Sequence, residues 1–449
     1  MKNKIVIIGA GVAGINAATK LVDNGYPGEL ITIIDKGNDP HNRLPEEVMT
    51  GMLGAGGWSD GKLTYHTEIG GQLSKYCGEE KAMELMDQVI SNFRRFHPNP
   101  EEIFMSDPQA EPEFIKPYFG LRLFPVWHIG SNYLHEIAKT WYSYLVDKGV
   151  NFMWETEVIS IDFNKNTLGY SSTPVKLGKV KSLTYDKLIF AVGKSGIDFA
   201  QSLADDYQLP NEPKSVQIGV RFEAPQKYFQ KLIDISYDFK LYQKFDNVSL
   251  RSFCTNNNAA YVAVEETYGD ISYNGHAKKG EEFRNDMTNF GILMEIKGIE
   301  NPFEWSRGVV SKLQKDVTIK NDEYKTIDYY RAGIYYSPNN TRLAADTSEG
   351  VRIKCFQIDS LDLFKDAFGK YADYILNFID QMNKIFEFGD DWGMYIPEVK
   401  YLSPEPLVNY DDLSLTEYPN VHFVGDALSA RGITVSGAHG IYVAESLVK

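Results

Sequence analysis

Residues 54 to 63 read GAGGWSDGKL, with four glycines, a serine, an acid and a base inside ten positions. Bare backbone of this kind can approach a phosphate-bearing ligand closely. Gly56, Gly57 and Gly61 supply it, Ser59 and Asp60 offer polar contacts, and Lys62 is the one cation of the stretch. A fixed cation stabilises negative charge that develops on a reacting group, which makes Lys62 a candidate catalytic residue. Proton acceptors are a second requirement of most bond-breaking chemistry. The candidates are His128, His276, His439 and the pair Tyr65 and His66, with His439 in the closing SGAHG stretch the foremost.

These residues need elements to hold them, and the N-terminus supplies the first. KIVIIGAGVAGINAATKLVDNG is an apolar strand followed by Gly9-x-Gly11-x-x-Gly14 and an Ala-rich helical pattern that stops at Asn24-Gly25. A second strand, LITIID, ends in Asp35. Gly9 allows the tight turn, Gly11 lets backbone approach a pyrophosphate, and Gly14 lets helix pack on strand. The helix N-terminus offers free N–H groups to the phosphates. Asp35 can accept the ribose hydroxyls of an adenosine, and Ala13 and Lys36 join the candidate contacts. Strand, motif, helix, strand and acid in this order specify a dinucleotide site for FAD or NAD.

The next segment separates the two cofactors. A Rossmann domain for NAD continues with another strand and helix, whereas residues 37 to 65 are polar and rich in turn residues. A long loop beside a dinucleotide site is usually functional. Near the C-terminus, Val421 to Val424 forms a short strand leading to Gly425 and Asp426, whose carboxylate can accept a ribityl hydroxyl. After Gly432, a helix beginning at Ile433 can aim its N–H groups at a flavin pyrimidine. Lys62 near the same N1–C2=O edge would do the same work, so both features favour FAD.

GAGGWSDGKLT resembles the Ser-Asp-Gly-Lys-Leu signature of a family of bacterial FAD-dependent dehydrogenases in the glutathione-reductase-like FAD superfamily. WHIGSNYL at 127 to 134, LIFAVGKSGIDF at 188 to 199, KSVQIGVRFEAPQ at 214 to 226 and the closing VHFVGDALSARGITVSGAHGIYVAESLV resemble further segments of that family. The resemblance implies a flavoprotein oxidoreductase, adds Gly193 to the cofactor contacts, and implies that backbone near Val158 meets the adenine. Two departures concern the substrate region. Cys254 is followed by Thr255 and three asparagines where the family has a second Cys, Pro and paired Gly. His276 stands where Met is more common.

The predicted fold is α/β, with a Rossmann-like FAD-binding domain of discontinuous segments and an inserted mixed α+β substrate domain. Residues 1–204 form the first part, with a helical insertion at about 78–120; 205–400 form the substrate domain; and 401–449 return to the FAD domain. Amphipathic spacing predicts helices at 78–96, 131–148 and 361–386. No second GxGxxG and no CxxxxC pair follows, so a dedicated NAD(P)H domain and thiol relay chemistry are disfavoured, and NAD(P)H would dock transiently over the flavin. Metal-ligand spacing such as HExxH is absent from the sequence.

With 46 basic and 61 acidic side chains the net charge is −15, which opposes polyanions and disfavours nucleic acid as a partner. A lysine-rich hairpin, with Lys165, Lys176, Lys179, Lys181 and Lys187, is the one local exception. Three scattered cysteines fit a reducing cytoplasm, and neither a signal peptide nor a membrane span is expected. The leading function is an FAD-dependent oxidoreductase acting on a small molecule. The alternatives are an amine or amino-acid oxidase or lyase, and a flavoprotein that modifies or binds nucleic acid.

Overall fold

A computed structural model describes residues 2–44, 47–59, 61–108, 111–172, 179–212, 216–267, 269–277, 281–321, 326–340, 355–400 and 405–448. The chain divides into two compact units: Met1–Met105, Pro125–Pro213 and Leu402–Lys449 form the first, and Ser106–Phe124 with Lys214–Tyr401 form the second. Residues 106–124, which the sequence reading keeps with the N-terminal part, therefore belong to the second unit. Their strand Gly120–Leu123 pairs antiparallel with Phe239–Lys244, a partner more than a hundred residues away that no local pattern announces.

The first unit is built on a parallel sheet of five strands in the order Val421–Phe423, Lys187–Phe190, Ile5–Ile8, Ile31–Ile34, Asn151–Met153. The central strand IVII is buried on both faces, which is why it reads as a continuous apolar run instead of an alternating one. Chain order reverses on either side of Ile5–Ile8, and the crevice at such a switch point is where open α/β sheets take their ligands. The first helix, Val12–Asp23, and the closing helix, Ile433–Leu447, pack in near contact: a Cβ added at Gly440 would lie 2.0 Å from the Ala13 carbonyl oxygen. Lys20 and Lys81 both pair with Glu445, at 3.0 and 2.9 Å, tying these helices to Glu79–Phe96. A three-stranded antiparallel sheet (Thr156–Asp162, Thr167–Ser172, Lys181–Thr184) and a small sheet containing Lys62–Thr64 and Val126–His128 complete the unit.

The second unit is a nine-stranded, mainly antiparallel sheet. Its strand Val216–Pro225 alternates as period two requires. Ile218, Val220, Phe222 and Ala224 enter an aromatic-rich core shared with the helices Pro302–Leu313, Asp362–Phe368 and Ala372–Phe386. Arg221 and Glu223 lie on the alternate positions and are fully buried as well. The Arg221 guanidinium bonds Glu398 bidentately at 2.9 and 2.9 Å and donates to the Cys254 carbonyl and to Asn289 and Asn274. Tyr335 and Tyr395 both donate to Glu223 at 3.2 Å. The helical stripe at 361–386 is two helices because Gly369, at φ +56°, turns the chain between them.

Candidate functional site

The glycine turn is the first element of the site. Gly9 has φ +104°, and a Cβ there would lie 2.2 Å from the Ala191 carbonyl oxygen; one at Gly14 would lie 2.2 Å from the Gly9 oxygen. Gly11 differs, because a Cβ there would meet nothing within 4 Å. Two glycines are thus filled in by their own chain, and the third faces open space at the N-cap of Val12–Asp23, where no side chain caps the helix. The first-turn N–H groups, with the positive end of the helix dipole, are left for an anion.

The glycine loop closes over this turn. Leu53 N–H donates to the Ala10 carbonyl at 2.8 Å, and Gly54 to Trp58 forms a short helical turn. A Cβ at Gly54 would be 3.4 Å from Gly11 Cα, one at Gly56 would be 2.5 Å from Val12 Cγ2 and 3.5 Å from Ile433 Cγ1, and one at Gly57 would be 2.9 Å from Arg43 Nη1. Bare backbone is needed here because the loop wedges between the starts of two helices. Ser59 Oγ donates to the Gly56 carbonyl at 2.9 Å and accepts from Gly61 N–H at 3.2 Å, so its polar contacts serve the loop itself. Asp60 lies outside the described residues. Lys62 is buried and stands directly opposite His128, whose ring stacks on Phe104 at 4.6 Å.

At the closing helix, Gly432 has φ +101° and acts as an N-cap without any side-chain cap. Thr434, in the first turn, is 1% exposed, and its Oγ1 has no hydrogen-bond partner among the described residues. Gly425, at φ +66°, sits against Ala13, and Asp426 Oδ1 lies 3.4 Å from Arg431 Nε. Neither helix end has a side-chain cap, as holds for the other described α-helices, but the open approach at Gly11 and the buried Thr434 hydroxyl without a partner among the described residues are suited to a flavin dinucleotide. The residues present fit FAD.

Other sequence candidates occupy different roles. Asp35 accepts Gly37 and Gly51 N–H on one oxygen and Ala10 N–H on the other, all at 2.8 Å, so most of its acceptor capacity is spent on the turn and loop. Lys36 donates to the Ser195 carbonyl at 3.1 Å. Gly193, at φ +63°, has open space where a Cβ would stand. Val158 is buried opposite Tyr170 just before a β-bulge, and it is Thr156 whose N–H reaches the Asp35 carbonyl, at 2.9 Å. His439 lies six residues into the closing helix, fully buried, its ring edge-on to Tyr76 at 5.6 Å. Burial pulls its pKa down to about 4 against the attraction of Glu405, so it is a neutral imidazole at pH 7, about 9 Å along the helix from its N-terminal end. Tyr65 is pushed up to about 12 by burial and by its hydrogen bond to Asp87. The His276 side chain and Lys176 lie outside the described residues, and Lys165 of the lysine hairpin pairs with Asp162 at 2.8 Å. The asparagines after Cys254 run along a strand, where Asn256 donates to the Cys254 carbonyl at 2.9 Å and Asn257 to the Tyr237 carbonyl at 2.8 Å.

Sequence reasoning passed over Arg43. Its guanidinium is half-buried and, among the described residues, its hydrogen bonds all go to backbone carbonyls, those of Glu47, Val48, Met52 and Gly54. Burial lowers its pKa to about 10, offset by Asp35 and Glu47, so it stays charged. Among the described residues no helix is long and apolar enough to cross a membrane.

Residues 3–202 match the family model described as pyridine nucleotide-disulphide oxidoreductase. None of the curated proteins matches the chain. Among solved structures, a flavoprotein/dehydrogenase from Cytophaga hutchinsonii is similar with 11% identity over 99% of this chain and 78% of that one, at a TM-score of 0.39. The tetracycline destructase Tet(51) is similar with 10% identity over 100% and 82%, at 0.37. CtdE in complex with FAD is similar with 7% identity over 98% and 82%, at 0.36. The family match covers the strand, glycine turn and helix whose geometry fits FAD, and the chain is an FAD-dependent oxidoreductase with a Rossmann-type FAD-binding domain.

Proposed function

We propose that this oxidoreductase moves a hydride or electrons between a small organic substrate and non-covalently bound FAD, as a relative of the glutathione-reductase-like dehydrogenases. FAD, when bound, supplies the electron-accepting chemistry, so the protein's tasks are binding, orientation and charge. The observation that carries this reading is the open approach at Gly11, with the buried Thr434 hydroxyl left without a partner among the described residues and the glycine loop wedged between Val12 and Ile433. In this reading the turn of Gly9, Gly11, Ala13 and Gly14 holds the diphosphate, with Gly11 at the contact and Gly9 and Gly14 shaping the turn. Asp35 and Lys36 border the ribose, with at most one Asp35 lone pair left for a hydroxyl. Gly425, Asp426, Gly432 and Ile433 hold the flavin half. Lys62, buried beside His128, is the cation assigned to charge at the flavin edge. Residues 205–400 carry the substrate, NAD(P)H docks transiently, and the enzyme works in the cytoplasm.

An anaerobic absorption titration of the purified protein with NADPH and NADH tests this. Bleaching of a bound flavin within a turnover-like time supports the nicotinamide-dependent reading. A flavin that stays oxidised moves amines and amino acids forward as reductants. Absence of bound flavin after adding FAD overturns the proposal.

A further inference from the structure

The segment from 37 to 58 is organised by two side chains of opposite charge, and they divide the backbone between them. Asp35 collects amides, taking the N–H groups of Ala10, Gly37 and Gly51, each at 2.8 Å. Arg43 collects carbonyls. Nε donates to Glu47 at 3.1 Å, Nη1 to Met52 at 2.6 Å, and Nη2 to Glu47 at 2.9 Å, Val48 at 3.2 Å and Gly54 at 2.9 Å, while the guanidinium lies 5.5 Å from the Trp58 ring centre.

The direction of these carbonyls fixes the direction of their amides. In a planar trans peptide the C=O of one residue and the N–H of the next point opposite ways. With the Met52 carbonyl drawn to Arg43, Leu53 N–H must face away from it, and it bonds the Ala10 carbonyl of the glycine turn at 2.8 Å. The Gly54 carbonyl is drawn in the same way, so Ala55 N–H is directed away from the guanidinium on an exposed residue of the loop that abuts Gly11. Leu53 is held at φ +63°, a left-handed conformation that costs a side-chain-bearing residue about 1 kcal/mol or more and persists only when its neighbours enforce it. Its two neighbouring carbonyls, of Met52 and Gly54, are both Arg43 acceptors.

We propose that Arg43 is the positioning residue of the cofactor site: by gathering the carbonyls of Glu47, Val48, Met52 and Gly54 it holds Leu53 N–H on Ala10 and turns Ala55 N–H away from itself beside the open approach at Gly11, and grip on the diphosphate depends on it. The proposal rests on the FAD reading for its ligand, although the clamp itself is a property of the free protein. Guanidinium geometry is needed, since a lysine ammonium is a compact point charge that cannot span four carbonyls with a planar fork.

The test uses the full chain with Arg43→Met, Arg43→Lys and Arg43→Ala. Three quantities are measured: FAD affinity from flavin fluorescence, the melting temperature without FAD, and amide hydrogen exchange of peptides covering 50–58 and, as a control, 216–225. Arg43→Met is expected to weaken FAD at least tenfold and to speed exchange in 50–58 with none in the control, and Arg43→Lys to fall between it and the parent. Millimolar methylguanidine added to Arg43→Ala is expected to restore part of the affinity, which a general loss of packing would not permit. If Arg43→Met binds FAD within twofold of the parent, or exchange in 50–58 is unchanged, the proposal is overturned. Should Arg43→Met fail to fold, Arg43→Lys decides by the same two limits. Failure of the parent to bind FAD overturns the cofactor reading, while the exchange data still decide whether Arg43 clamps the loop.

Discussion

Two buried polar sites, one in each unit, end differently. In the second, Arg221 spends its guanidinium on Glu398, Asn274, Asn289 and the Cys254 carbonyl, and Glu223 receives two tyrosine hydroxyls. In the first, Thr434 Oγ1, in the first turn of the closing helix, is buried without a partner among the described residues. A buried group that is paired internally serves the fold, and one left over at a helix start is available to a ligand. The asparagines after Cys254 are on the first side of that division. They depart from the resembled family, yet their amides are spent on their own strand's surroundings.

This contrast can be broken most forcefully at Arg221. Arg221→Met leaves Glu398 buried without its cation and is expected to cost about 3–5 kcal/mol in urea unfolding, with the double variant Arg221→Met/Glu398→Met recovering much of the loss. Equal cost in single and double variants would refute internal pairing as the purpose of the network. Gly11→Glu is the counterpart in the first unit. It places a carboxylate in open space at an anion site, so FAD binding should weaken about a hundredfold, roughly 3 kcal/mol, with a melting curve close to the parent's. Gly14→Ala sharpens the point, because its Cβ would strike the Gly9 oxygen and stability should fall whether or not FAD is added.

His439 gives an effect of similar size that appears only in acid. Its pKa of about 4 in the folded chain lies below that of an exposed imidazole, near 6.5, so the unfolded chain takes up the proton first as pH falls. Stability from this group is therefore complete above about pH 6.5 and declines toward pH 4, by about 3 kcal/mol in all. His439→Phe, which keeps the edge contact with Tyr76, should flatten that part of the stability profile measured by denaturant titration at several pH values; an unchanged slope would contradict the assignment. Smallest is Gly193→Ala, where φ +63° should cost about 1 kcal/mol without any steric clash.

The parts of this molecule that were legible in its sequence are those where one residue type satisfies one geometric demand. Gly9 and Gly14 could be read because the turn and the helix-on-strand packing exclude a Cβ at each. The strand Val216–Pro225 could be read because period two shows in its composition. Arg43 could not, since its partners are backbone carbonyls, which every residue carries, and a carbonyl leaves no mark in a sequence. Arg221 and Glu398 are 177 positions apart, and only the pairing of their strands brings them together. The surroundings of His439 were not legible for a related reason: nearness in sequence to Gly432 says nothing about which side of the helix an imidazole takes. Asp35 stands where a ribose partner is expected, but its short side chain is within reach of three amides first.

The near contact of Ala13 with Gly440 has one more effect. Because the crossing lies at the very start of the first helix and about seven residues into the closing one, the second positive pole is held about 10 Å along the closing helix from it, with no slack for adjustment. The pair of helices is a calliper of set opening. Any ligand that meets both jaws must match that fixed spacing.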